Sequence, residues 1–221
     1  GDTLQDPQFL DDFGALKQFD IVVANPPYSI KDWPYEFFKT NRYGRLEGYD
    51  MPPNKNADYA FVLHIIKSMK ENGRAGVVLP HGVLFRGGSE GRIREQILKN
   101  DLIEAIIAMP SKLFYGVGIP VCILILNKNK PGNRKNKVLF IDAEKDYAEG
   151  KNQNSLRKKD IDKIVSTYDD YKDIEKYARI VDQKEIIENE FNLNVRRYIE
   201  NGEEEEEINV SEVWEELKKL E

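Results

Sequence analysis

Four runs of apolar, mostly β-branched residues, each of strand length, punctuate the first 130 residues at 19–24, 75–79, 102–109 and 120–126. They predict buried strands. Between the first two, Ala60, Phe61, Leu63, His64, Ile65, Ile66 and Met69 recur at helical spacing up to Asn72-Gly73, a pair suited to stopping a helix. Between the next two, Ile93, Ile97 and Leu98 give 90–100 the same period. Strand, helix, strand, helix, strand predicts a parallel sheet with right-handed crossovers. About ten residues, Gly116 and Gly118 among them, join the third and fourth runs. That is too short for a helical crossover, so this pair is expected to be antiparallel.

Past Asn127 the chain is polar and basic as far as Lys137, with Pro131-Gly132 as a turn, and then resumes a strand pattern at 138–141. From Lys151 the apolar positions follow a helical period: Ile161, Ile164 and Val165, then Ile186 and Ile187, then Val213, Trp214, Leu217 and Leu220. The expected organisation is an α/β domain over 1–150 and a helical region over 151–221.

Composition narrows this picture. At 221 residues and 40% hydrophobic content the chain has enough apolar material for a core. No run approaches the roughly 18 to 20 apolar residues of a membrane helix, and no signal-like start is present, so no membrane partner and a cytoplasmic location are expected. Cys122 sits in an apolar run and is expected to pack as a small hydrophobe. His64 and His81 have no metal-ligand spacing, which leaves metal chemistry without support. The net charge of -6 is uneven: residues 1–150 hold 20 Lys+Arg against 19 Asp+Glu, and residues 151–221 hold 13 against 20. The acidity lies in the tail, largely in the run 203–207, so it does not exclude nucleic acid from the first 150 residues.

The residues that carry chemistry follow the first strand: Asn25-Pro26-Pro27-Tyr28. Ligands of open α/β sheets bind at the carboxyl ends of strands. A plain Pro-Pro turn and a Pro-Pro-x-Tyr-like ligand for a small recognition domain are the other readings of such a tetrapeptide. The tetrapeptide resembles a motif of enzymes that methylate amino or amide nitrogens, and this resemblance implies as its ligand an exocyclic amine of a base, a poor nucleophile because its lone pair is delocalised into the ring. A side-chain carbonyl from Asn25 and the backbone carbonyl of Pro26, which has a fixed φ and no N–H, would accept from the two amine hydrogens and stabilise developing positive charge. Tyr28 would stack on a base drawn out of its duplex.

The tetrapeptide resembles the Asp/Asn/Ser-Pro-Pro-aromatic motif of enzymes that methylate amino or amide nitrogens, and a parallel sheet with one antiparallel hairpin is the pattern of Rossmann-like methyltransferases. Flanking segments are similar to the modification subunits of type I restriction systems, which are adenine-N6 DNA methyltransferases. They are Gly1-Asp2-Thr3-Leu4, Ala57-Asp58-Tyr59-Ala60-Phe61, Gly73-Arg74-Ala75-Gly76, Arg86-Gly87-Gly88, Leu113-Phe114, and Phe191-Asn192-Leu193-Asn194 with Arg197-Tyr198. Arg196 stands where that family usually has proline. The resemblance implies the second half of a Rossmann-like methyltransferase sheet, ended by an antiparallel hairpin, with a helical region after it. It implies S-adenosylmethionine as cofactor, with Asp2 and Asn25 at its site, and a catalytic loop of Asn25, Pro26, Pro27 and Tyr28. Phe114 would stack on the opposite face of the flipped base, and Arg86 with its glycine loop would meet DNA phosphate. The implied partners are duplex DNA with a flipped adenine, a specificity subunit and, in the full complex, a restriction subunit. No Asp-Pro-x-Cys-Gly-Ser-Gly-Gly-like cofactor loop occurs in residues 1–221. The chain is therefore expected to be a fragment whose first strand forms a sheet edge and which neither binds the cofactor tightly nor methylates alone. A glutamine-amide methyltransferase and a non-catalytic assembly module stay open as alternatives.

Overall fold

The computed structural model describes residues 2–114 and 118–199. The apolar positions expected in 201–221 lie outside the described residues. Six strands form one mixed sheet: β1 (Phe19–Ala24), β2 (Met69–Pro80), β3 (Ile103–Ala108), β4 (Val121–Asn127), β5 (Lys137–Asp142) and β6 (Ala178–Asp182), in the order β1-β2-β4-β3-β5-β6. The four runs picked out by hydrophobicity are four of these strands, and 138–141 lies within a fifth.

The pairing follows from connection length. The long link carrying α2 (Asp58–Lys67) returns β2 parallel to β1. The short link after β3 turns β4 antiparallel, as expected. β4 then inserts between β2 and β3, antiparallel to both, and β5 continues parallel to β3, so the hairpin lies inside the sheet. β6 closes that side antiparallel to β5. It is a strand within the region read as helical, and its hydrogen bonds to β5 cross the boundary expected near residue 150. The same region also holds α4 (Lys158–Asp170) and α5 (Gln183–Glu188) where the helical period placed apolar residues.

Strand alternation divides the core between the two faces of the sheet. Val138 and Phe140 of β5 pack with side chains of α2, α3 (Gly88–Lys99) and α5, whereas Leu139 and Ile141 pack with Ile164 of α4. β3, covered on both faces, is buried at every position. It nonetheless contains Glu104, whose carboxylate receives Arg134 Nη1 at 3.2 Å, Asn127 Nδ2 at 3.1 Å and the Tyr168 hydroxyl at 2.7 Å. Lys130 is turned inward as well, to Asp101 at 2.5 Å. The basic stretch after β4 is thus partly an internal electrostatic seam rather than a solvated loop.

Two local expectations change. The first long helix ends at Lys67 with Ser68 as its C-cap, and Asn72-Gly73 belong to β2. Gly73 is needed there because a Cβ would lie 2.9 Å from both Phe19 O and Lys70 N, at the irregular start of the β1–β2 pairing. A short helix, α1 (Tyr35–Lys39), buries Phe38 and follows the motif loop. Among the described residues no helix is long and apolar enough to cross a membrane.

β1 is the open edge of the sheet. Val22 and Ala24 pack inward, but Ile21 and Val23 on the other face are 71% and 79% exposed. The sequence predicted such an edge, and an uncovered apolar edge strand is a template for further pairing.

Candidate active site

β1 stops where Pro26 removes a ladder donor, and the chain leaves the carboxyl end of the sheet through Asn25-Pro26-Pro27-Tyr28. Pro26 is buried and anchors the loop, while Asn25 and Pro27 are exposed and Tyr28 is half-buried. The Tyr28 hydroxyl donates to Asn25 Oδ1 at 2.6 Å. Burial, with the nearby Cys122 thiol adding to it and the Asn25 hydrogen bond opposing it, raises the Tyr28 phenol above its usual range, so it is a neutral donor at physiological pH.

Phe114, at the start of the β3–β4 link, comes to the same place. Its ring meets Tyr28 edge to face, with centroids 6.2 Å apart and planes at 75°. The two aromatics singled out on either side of a base are therefore neighbours across 86 residues of sequence. Here they touch each other, and a planar ring sliding between them would have to part them.

Asp2 is not hydrogen-bonded to this loop. Its Oδ1 accepts from Leu4 N at 2.9 Å and Gln5 N at 3.3 Å, capping its own turn. That turn is fixed by the buried Leu4 side chain and by Arg45, whose Nη2 donates to the Leu4 carbonyl at 2.8 Å. Asp2 Oδ2 makes no hydrogen bond among the described residues and stays exposed to act as an acceptor.

Arg86 turns away from the role expected for its side chain. Its guanidinium donates to Asp58 at 2.5 Å and to Glu90 at 2.6 Å, both carboxylates being buried. A phosphate contact in this loop would fall to the amides of Gly87, Gly88 and Ser89 at the start of α3.

The late Asn-Leu-Asn element works mainly as a local brace. Asn194 Oδ1 accepts from Arg196 N at 3.3 Å, Leu193 N donates to Leu84 O at 2.8 Å, and Tyr198 stacks on Phe140 at 4.3 Å. Arg196, the departure from the family pattern, pairs with Glu144 at 2.6 Å. Asn194, Arg196 and Glu144, together with His81, Phe85 and Ser111, line a cleft of about 500 Å³ at the carboxyl ends of β2, β3 and β5. Nothing in the sequence marked this cleft, because its walls come from four separate loops. Burial lowers the His81 imidazole, and His81 Nε2 has no partner.

Cys122 is fully buried with its thiol pushed up to about 12, consistent with packing rather than nucleophilic chemistry. No His, Cys, Asp or Glu group among the described residues could hold a metal ion.

An Asn-Pro-Pro-Tyr loop at the carboxyl end of a parallel strand, faced by a second aromatic and set on a sheet with one strand reversed inside it, fits a methyltransferase-type α/β domain. The N-6 DNA methylase family model matches residues 1–207. The chain belongs to that family. It is 42% identical to the methylase subunit of the type I restriction enzyme MjaVIII of Methanocaldococcus jannaschii, over 100% of this chain and 39% of that protein. It is 33% identical to the HindI methylase subunit of Haemophilus influenzae, over 93% of this chain and 46% of that one. The crystal structure of the type I restriction-modification methyltransferase subunit from Streptococcus thermophilus superposes with a TM-score of 0.81 at 38% identity, covering 90% of this chain and 42% of that one. The chain thus spans about two-fifths of the length of these relatives.

Proposed function

We propose that this chain carries the amine-binding half of an enzyme that methylates adenine N6 in duplex DNA with S-adenosylmethionine, as the modification subunit of a type I restriction-modification complex. The observation that carries the reading is the loop itself. Asn25 projects an exposed carbonyl from the end of β1, beside Tyr28 and Phe114 with their rings in contact. The names and extent of the relatives support the substrate and the complex, and weigh against a glutamine amide as acceptor.

The residues divide the work as follows. Asn25 Oδ1 and the Pro26 carbonyl each accept one amine hydrogen, which draws the nitrogen towards tetrahedral geometry and stabilises the positive charge it gains. Tyr28 and Phe114 open to hold the base between their faces and keep water from it. Bound S-adenosylmethionine supplies an electrophilic methyl group. The donor set present fits part of that cofactor: Asp2 offers the unengaged Oδ2 to an amino group, and Asn25 lies where the donor and acceptor must meet. Residues 151–221 are proposed to contact a specificity subunit, a reading supported by Ile161 and Val165, which stand exposed on α4. A restriction subunit would join the same complex.

The test is Asn25→Ala in the assembled enzyme. Single-turnover methylation should fall on the order of a hundredfold or more, as for loss of one preorganised donor or acceptor, with DNA affinity retained. Near-normal turnover would exclude the clamp.

A further inference from the structure

The loop is tied to the molecule by ionic groups that sequence reading did not connect with it. Ser29, the residue after Tyr28, has φ +51°, a left-handed conformation that side chains other than glycine rarely adopt. It is held there by Asp58: Ser29 N donates to Asp58 Oδ1 at 2.7 Å. Asp58 is the first residue of α2 and is 1% exposed. Its other oxygen receives Arg86 Nη2 at 2.5 Å. Arg86 in turn is gripped by Glu90 in the first turn of α3, with Nε to Oε2 at 2.6 Å and Nη2 to Oε1 at 3.1 Å. The Arg86 carbonyl accepts from Arg94 Nη1 at 2.8 Å, and Arg94 Nε reaches the Phe191 carbonyl at 2.7 Å. One guanidinium between two buried carboxylates therefore joins the strained end of the motif loop to the N-terminal turns of two helices.

We propose that Asp58, Arg86 and Glu90 are positioning residues for methyl transfer: through Ser29 they fix the direction of the Asn25-Pro26-Pro27-Tyr28 loop. The assignment rests on the methyl-transfer reading above. The physical argument is rigidity. Asn25 is exposed, and among the described residues its side chain is held by the Tyr28 hydroxyl, which a bound base would compete with. Buried Pro26 and the Tyr28–Phe114 contact hold the middle of the loop, and its ends are held by β1 on one side and Ser29 on the other. A backbone N–H directed at a charged, buried carboxylate is a stronger tether than a neutral hydrogen bond. Arg86 is what pairs with that carboxylate and orients it away from solvent.

The test uses the full-length protein in its complex, with duplex DNA. Asp58→Asn keeps the shape and an oxygen for Ser29 but removes the ion pair, and Arg86→Lys keeps the charge but loses the two-sided grip. Each should lower kcat about tenfold to a hundredfold, the scale of a misplacement of about 1 Å in the reacting groups, with KM for DNA within twofold. A target adenine replaced by 2-aminopurine should still leave the stack, with altered fluorescence showing it seated differently. Glu104→Gln, a buried ion-pair variant at the far end of β3, serves as the control and should leave kcat unchanged at a comparable loss of thermal stability. If Asp58→Asn does not fold, Arg86→Lys decides by the same criterion. A kcat less than fivefold down, or a fall matched by the Glu104 control, overturns the assignment. A wild-type complex that leaves N6 unmethylated overturns the functional reading instead.

Discussion

Tyr28 has two jobs that its single side chain separates. The ring faces Phe114, and the hydroxyl occupies the Asn25 carbonyl that an amine would need. Tyr28→Phe should therefore keep methylation within about threefold, whereas Tyr28→Ala should lose about 5- to 100-fold, since stacking of a base on an aromatic contributes about 1–3 kcal/mol. Equal damage in both variants, measured as single-turnover rates, would show that the hydroxyl matters and not the ring. A second residue sets a pH limit. Burial, with the Arg45 charge adding to it, lowers the His64 imidazole to about 4, while unfolding returns it to the ordinary value near 6.5. Arg45 only donates, so the 3.4 Å contact to Nδ1 leaves the proton on Nε2. Between those values the unfolded state binds the extra proton, so stability is complete above about pH 6.5 and falls as pH drops towards 4, by on the order of 3 kcal/mol. His64→Gln should flatten that slope in urea titrations run from pH 4.5 to 7.5. An unchanged slope would place the acid sensitivity elsewhere.

At the scale of elements, the start of β2 shows how backbone proximity can replace side-chain packing. Gly73 lies against the Phe19 carbonyl and the Lys70 amide, neither of which can rotate away from a new methyl group. Gly73→Ala should therefore displace β1, lowering stability by about 1–3 kcal/mol as overpacking does. A change under about 0.5 kcal/mol in the unfolding free energy from urea titration would mean that the edge strand moves freely. Asn72-Gly73 read as a helix stop for a sound reason, since the pair favours helix ends. The helix ended five residues earlier because β2 must begin at Met69 to pair with Phe19. β6 escaped notice for a similar reason. Its five residues, Ala178–Asp182, carry too short an apolar pattern to stand out, and they become a strand because β5 offers them a partner.

The whole molecule does not divide cleanly at residue 150. α4 places Tyr168 on Glu104 and Tyr171 under Arg134, whose guanidinium sits 4.3 Å from that ring, while Tyr198 covers Phe140 and Arg94 is capped by Phe191. A chain ending at residue 150 should consequently lose cooperative unfolding and near-ultraviolet circular dichroism, leaving β5 as a bare edge and Glu104 short of partners. A chain ending at residue 199 should keep both. An unchanged urea midpoint for the shorter chain would show that the sheet stands without this region. For the same reason partner binding is better tested with Ile161→Lys and Val165→Lys on α4 than by deletion.

The chain's own residue order determined the four strands first recognised, the antiparallel turn between β3 and β4, and the Asn25-Pro26-Pro27-Tyr28 loop. Each of these depends on neighbours within about thirty residues, on a period, a connection length or a run of prolines. What only the tertiary structure decided is everything that joins distant charges. Arg86 reads as a loop cation suited to phosphate until Asp58 and Glu90 are seen to enclose it. Glu104 lies within an apolar run, and its partners Arg134 and Tyr168 come from beyond that strand. Arg196 replaces a proline and finds Glu144. A buried charge is tolerable only with its partner in place. The partner is chosen by the fold rather than by spacing along the chain, so such groups acquire their roles only when the sheet brings them together.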